Sequence, residues 1–284
     1  MPRKKPRPPS GTVFPLRVLS LGAGVQSSTL LLMMINGEIP RPDHVIFSDT
    51  GWEPKAVYKH LEFLKGLMEQ EGIPLHVVSA GNLRDDFLTE KKRFASMPLY
   101  IKDPDTGKKG MIRRQCTGDY KIDPVNRKLR ELAELLPRER CLEHRITVII
   151  GISLDESQRM RDPEFSWIRN EYPLVDKRIT RDDCLKWCEE KGYPRPPKSA
   201  CIGCPFKSTQ EWLALKNGED QDEWLDAVEF DRQLRLNARI IEKFKGEAYL
   251  HHDTIPLDQV DFESKIPRRE PNLFDQECTG MCGM

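Results

Sequence analysis

The chain has 284 residues, enough for one large α/β domain or a domain with a sizeable appendage. Charged residues make up 32% and balance to a net charge of zero, so contact with nucleic acid must come from local patches rather than a global field. No run of about 18 apolar residues is present, which excludes a membrane-spanning helix.

Residues 1–13 are rich in Pro, Arg and Lys and read as a disordered basic arm, either a solvated tail or an arm that touches nucleic acid. No apolar core follows it, so it is not a secretory signal, and a cytoplasmic protein is expected. The apolar strand 16–21 then runs into Gly22-Ala23-Gly24-Val25-Gln26-Ser27-Ser28, and a helix over 28–36 follows. A strand, a glycine turn and a helix N-terminus favour phosphate, because helix-start N–H groups lack partners. The glycines match neither a Walker loop nor the G-x-G-x-x-G fingerprint.

His44-Val45-Ile46-Phe47-Ser48 reads as a buried strand ending in Asp49-Thr50-Gly51-Trp52-Glu53-Pro54. A helix with Val57, Leu61 and Leu64 on its apolar side follows, then a third strand over 74–78. Strands alternating with helices imply a parallel sheet with right-handed crossovers and ligands beyond the strands' carboxyl ends. Residues 94–115 read as a loop or hairpin over the site, and 122–136 as a helix. Another buried strand, 146–150, ends in Gly151-Ile152-Ser153-Leu154-Asp155-Glu156-Ser157-Gln158-Arg159. Residues 172–175 look extended, and Thr180 caps a helix over 181–191. Two helices are expected near 209–216 and 221–244, and a Pro-rich wrapped tail over 250–284.

The cysteines are Cys116, Cys141, Cys184, Cys188, Cys201, Cys204, Cys278 and Cys282. In a cytosolic chain, close spacing suggests metal, cluster or redox chemistry rather than disulfides. Cys201-Ile202-Gly203-Cys204-Pro205 is a tight knuckle that suits zinc, an iron–sulfur cluster or a redox pair. Cys116, flanked by Arg113, Arg114 and Lys121, is the best third ligand. Cys184 and Cys188 share a helix face and read as packing, although either could supply a fourth ligand, as could Cys278 or Cys282. Cys141 reads as packing, and His251-His252 as unsupported ligands.

Several separated segments together resemble the phosphoadenosine phosphosulfate (PAPS) reductase family, relatives of the N-type ATP pyrophosphatases. Ala23–Ser27 resembles the modified PP-loop, with Gln26 where the pyrophosphatases carry an acid. Asp49-Thr50-Gly51 with Glu53-Pro54, and Gly151 to Arg161 with Ser157, resemble two further segments of that family. Cys116 with Cys201 and Cys204 resembles the cluster cysteines of adenylylsulfate (APS) reductases, and Glu277-Cys278 their catalytic tail. The departures are Gln115 for a paired cysteine, Ser153-Leu154 for paired arginines, Met160 for the segment's last arginine, and the extra Cys282.

The resemblance implies an α/β, Rossmann-like (HUP-type) parallel sheet with helices on both faces. Residues 14–206 form the PP-loop domain, and 207–284 a helical, irregular, cysteine-bearing extension. It implies Ser20, Gly22, Gly24, Gln26, Ser27, Ser28, Asp49, Thr50, Gly51 and Glu156 around an adenine nucleotide (ATP, APS or PAPS, with Mg as a possible companion). Cys116, Cys201 and Cys204 would hold a 4Fe–4S cluster, and Asp49, Arg159 and the mobile Cys278 would take catalytic roles. Three readings follow. One is ATP-dependent adenylation and sulfur transfer to a nucleic acid or small acceptor. The second is an APS/PAPS reductase using Cys278 with a thiol reductant. The third is a silent nucleotide-binding interaction protein. A sulfur donor or thiol reductant is an expected partner, and a homo-oligomer is expected.

Overall fold

A computed structural model describes residues 13–89 and 97–265. Its strands are β1 (Leu16–Leu21), β2 (His44–Asp49), β3 (Leu75–Ser79), β4 (Tyr100–Lys102), β5 (Lys109–Met111), β6 (Ile146–Ile150), β7 (Ile168–Glu171) and β8 (Glu247–Tyr249). Its helices are α1 (Val25–Ile35), α2 (Lys55–Gln70), α3 (Leu83–Thr89), α4 (Asp123–Leu132), α5 (Pro173–Asp176), α6 (Arg181–Glu190), α7 (Thr209–Asn217), α8 (Gln221–Leu236) and α9 (Ala238–Phe244). Among the described residues no helix is long and apolar enough to cross a membrane.

The central strands are apolar on both sides because both sides are covered. Leu19, Leu21, Val45, Phe47 and Ile149 pack beneath α1, α2 and α6. Their neighbours in sequence, Val18, Ile46, Val148 and Ile150, pack with Val125 and Leu129 of α4 on the opposite face. The result is a five-stranded parallel sheet in the order β3-β2-β1-β6-β7. The chain winds outward from β1 through β2 to β3, then returns over the other face to β6. The switch between β1 and β6 opens a crevice at their carboxyl ends, where such sheets bind ligands. The parallel α/β architecture expected from the sequence is thus the architecture of the chain.

A third core joins the helices after residue 207 to the sheet's carboxyl edge. Trp212, Trp224, Phe230 and Leu234 pack with Trp52, Leu83, Phe87 and Tyr120. Trp52 Nε1 donates to Asp226 at 2.6 Å, and the Lys55 amide donates to Glu223 at 2.6 Å. A second, antiparallel sheet, β5-β4-β8, ties residues 247–249 to the 100–111 hairpin.

The expected helix over 221–244 is two helices. Asn237 takes an extended conformation, and its side chain accepts from the amides of Arg239 and Ile240, which starts α9 afresh. The extended piece at 172–175 is instead the short helix α5, with Pro173 in its first turn. Thr180 caps α6 as expected, in a capping box with Asp183. The edge strand β7 is not legible in the sequence because only Ile168 among its four residues is buried. The tail beyond residue 265, with Cys278 and Cys282, lies outside the described residues, as do residues 1–12 of the basic arm.

Asp231 on α8 is fully buried and organises the third core. One carboxylate oxygen accepts from the Leu250 amide at 2.9 Å, and the other from the Leu257 amide at 3.0 Å and from Arg235. Asp231→Ala strands these donors in a dry site and should cost about 3–5 kcal/mol, read as a lower denaturant midpoint. An unchanged midpoint would show that the carboxylate contributes nothing net.

Candidate functional site

The glycine loop sits at the crevice mouth. No side chain caps the start of α1 at Gly24, so its first-turn amides face the loop without an internal carboxylate or hydroxyl. The Ser27 hydroxyl accepts from the Gly22 amide at 3.1 Å and so shapes the loop. Ala23 adopts a positive φ of 51°, uncommon for a residue with a side chain. A cleft of about 20 Å³ at the ends of β1 and β2 is lined by Ser20, Gly22, Ser48 and Lys121. Ser28, by contrast, points into the core, where its hydroxyl meets His60 Nε2 at 3.0 Å.

Gln26 and Glu156 meet across the crevice. Gln26 Nε2 donates to Glu156 Oε1 at 3.0 Å and lies 3.5 Å from the Ser153 hydroxyl. Glu156 is buried and pairs with Arg159 as well. Gln26, Glu156 and Arg159 therefore form one chain of contacts from the loop to the segment after β6. The Gln26 amide already has a protein partner, an explanation for a neutral residue here that the sequence did not suggest.

Asp49 ends β2. Its Oδ1 accepts from the Gly51 amide and the Tyr58 hydroxyl, both at 2.8 Å. Burial and the Asp49 charge push the Tyr58 hydroxyl up, which keeps it a donor. Gly51 takes a positive φ of 70°, and Asn82 donates to its carbonyl at 2.8 Å. The turn thereby aims Thr50 inward, where its hydroxyl reaches Glu53 Oε1 at 3.1 Å and Cys201 Sγ at 3.5 Å.

Cys116, Cys201 and Cys204 line one cavity of about 30 Å³ together with Thr50, Lys121 and Arg114. The knuckle lies on Trp52. A Cβ on Gly203 would fall 2.1 Å from that ring, so only glycine allows the approach. Behind the thiols, Glu53 is almost wholly buried. Its Oε1 accepts from Lys121 at 3.2 Å and from the Cys201 thiol at 3.7 Å, while its Oε2 has no hydrogen-bond partner among the described residues. Burial first, and then the Glu53 charge, push the Cys201 thiol up, and Lys121 partly offsets them. Three thiols on one cavity with two nearby cations suit a thiolate-bound iron–sulfur group. A single ion needs closer donors, and among the described residues His251, His252 and Asp253 are the group whose ligand atoms all lie within 4.8 Å of one another.

The two halves of the site are joined. A Cβ on Gly24 would stand 3.1 Å from Ser199 Cβ, so the chain approaching Cys201 lies on the glycine loop. Lys121 lines both the loop cleft and the thiol cavity. Glu53 and Lys121 are the residues sequence reading placed too loosely. The spacing of Lys121 five residues after Cys116 was the available signal. Cys184 and Cys188 lie instead in the core of α1 and α6, with Cys188 Sγ 3.2 Å from the Thr29 hydroxyl, and burial pushes the Cys184 thiol up to about 12.

No protein-family model matches the chain, and no curated protein matches it. Among solved structures it is similar to the U34-tRNA thiolase NcsA from Methanococcus maripaludis with its [4Fe-4S] cluster. The identity is 15% and the TM-score 0.39, over 95% of this chain and 81% of that one. At that score the likeness is too distant to assign a family, a site or a reaction.

His60 offers a test of the packing beneath the loop. Burial holds it down to about 4, against 6.5 in an unfolded chain. Between those values the unfolded chain binds the extra proton, so stability must fall as pH drops below 6.5. His60 should remove about 2 kcal/mol between pH 7 and pH 5, and His60→Gln should flatten that part of the profile in denaturant titrations. Parallel profiles for the two proteins would place His60 in water.

Proposed function

We propose that this protein is an ATP-dependent, adenylating sulfurtransferase that uses a thiol-bound iron–sulfur cluster and acts on a nucleic acid or small acceptor. The observation that carries this reading is Lys121, which lines the cleft at the glycine loop and also the cavity of Cys116, Cys201 and Cys204. A glycine loop that suits phosphate beside three thiols on one cavity suits chemistry in which nucleotide and sulfur must meet.

In this reading the α1 N-terminus, Ser20, Gly22, Gly24 and Ser27 bind the ATP phosphates, and Lys121 balances their charge at the thiol side. Asp49, Thr50 and Gly51 border the nucleotide or its Mg ion. Gln26, Glu156 and Arg159 fix the opposite lip of the crevice, and Arg159 is placed to meet a phosphate or the acceptor. An acceptor oxygen takes AMP from ATP, pyrophosphate leaves, and a sulfur nucleophile then displaces AMP. Cys116, Cys201 and Cys204 would hold the cluster, which would supply iron able to bind a sulfur donor. Glu53 accepts a hydrogen bond from the Cys201 thiol and pairs with Lys121.

A sulfonucleotide reductase is the second reading, favoured by Glu277-Cys278 in the tail. There the Cys278 thiolate attacks the sulfate sulfur of APS or PAPS, AMP or its 3′-phosphate leaves, and a thiol reductant releases sulfite from the resulting Cys278 S-sulfonate.

Protein purified without oxygen should be brown and contain iron and sulfide. Cys116→Ser, Cys201→Ser and Cys204→Ser should each lose the colour, and a colourless, zinc-loaded wild type would end the cluster assignment. Pyrophosphate release from ATP should depend on an acceptor and fall on the order of 10²-fold in Lys121→Ala. Sulfite release from APS or PAPS, abolished in Cys278→Ser, would select the reductase instead.

A further inference from the structure

We infer that the groove between the β4–β5 hairpin and the end of α9 binds a single-stranded nucleic-acid segment and leads it to the cysteine site. This deepens the sulfur-transfer reading and rests on it for the purpose of the groove, although not for its chemistry.

The groove has a volume of about 640 Å³ and is lined by Lys108, Lys109, Arg113, Lys243 and Lys245 against the single acid Asp103. In a chain whose 45 basic and 45 acidic residues cancel, five cations to one anion is a local excess that composition conceals. Asp103 stays ionised, its Oδ1 accepting from the amides of Asp105 and Thr106 at 2.9 and 3.0 Å, so the lining keeps an excess of four positive charges. Lys109 donates to the Asp253 carbonyl at 2.8 Å, a contact that leaves its charge uncancelled. All five basic side chains belong to exposed residues. A concave basic track of this kind suits a polyanionic backbone.

The groove's position gives it a purpose. After β5, Arg113 and Gln115 line the groove, whereas Arg114 and Cys116 line the thiol cavity. Residues 113–116 are therefore a wall shared by the basic track and the thiol cavity. The Gln115 amide oxygen in that wall is buried and has no hydrogen-bond partner among the described residues. A strand held by its phosphates along the track has only the edge of this wall to cross before a splayed base meets the thiols. A duplex would keep its bases stacked and out of reach, which is why a single strand is the occupant.

The test is fluorescence anisotropy with labelled single-stranded oligoribonucleotide and oligodeoxyribonucleotide, titrated between about 50 and 200 mM salt. The wild type should bind, with affinity falling steeply with salt. Removing three charges together in Lys108→Gln, Arg113→Gln and Lys245→Gln should lower the log–log salt slope by about 2 and weaken binding about a hundred-fold at 0.1 M salt. The variant should keep wild-type iron content and thermal midpoint, which separates lost binding from lost fold. Unchanged affinity and slope in the variant would overturn the groove and leave the sulfur-transfer reading standing. A wild type that binds neither oligonucleotide, or that prefers duplex competitor, would overturn it too. Failure of the enzyme reading would appear separately, as absent iron or absent pyrophosphate release.

Discussion

A carboxylate taken out of water costs several kcal/mol unless charge and hydrogen bonds replace what water supplied. Glu53 meets that cost where its own turn, through Thr50, meets two distant parts of the chain: Lys121 just before α4, and the knuckle through Cys201. The contacts with Lys121 and Cys201 are not available to the isolated segments. The carboxylate therefore selects the arrangement in which they meet, and the thiols inherit their positions from it. Its second oxygen is buried and has no hydrogen-bond partner among the described residues.

The parallel sheet supplies the frame for this convergence. Because β1 and β6 are neighbours that send the chain in different directions, the glycine loop and the Glu156 segment face each other across the crevice, and Gln26 spans it. The helices after residue 207 brace the frame from the carboxyl edge, with Asp226 holding the indole of Trp52 and Trp52 supporting Gly203. A rigid lower half and a loop-built upper half is the usual division between positioning and chemistry in sheets of this kind.

Much of the frame was legible because apolar runs such as Val45-Ile46-Phe47 and Ile146–Ile150 leave little choice but a strand covered on both sides. Capping chemistry placed α6 through Thr180. The less legible parts depend on contacts between segments far apart in sequence. Nothing near Glu53 announces that Lys121 and Cys201 will neutralise it. The strand β7 hides because three of its four residues are not buried, and β8 because its partner is a short hairpin strand on the far side of the chain. At the candidate site, Cys116 joins Cys201 and Cys204 first through its flanking cations and then through resemblance, and the fold puts all three on one cavity. Ser28, read as part of the loop, turned out to belong to the core because its partner is a histidine on α2.

The spread of the three sulfurs along the chain has a consequence for folding. Cys201 and Cys204 are neighbours, but Cys116 lies about 85 residues before them, with α4 and β6 in between. A metal or cluster that joined them would act as a cross-link closing that long loop. Loop closure on this scale removes chain entropy worth on the order of 4 kcal/mol from the unfolded state. The inorganic group would then be a structural staple as well as a reagent, and its oxidative loss would loosen half of the sheet along with the chemistry.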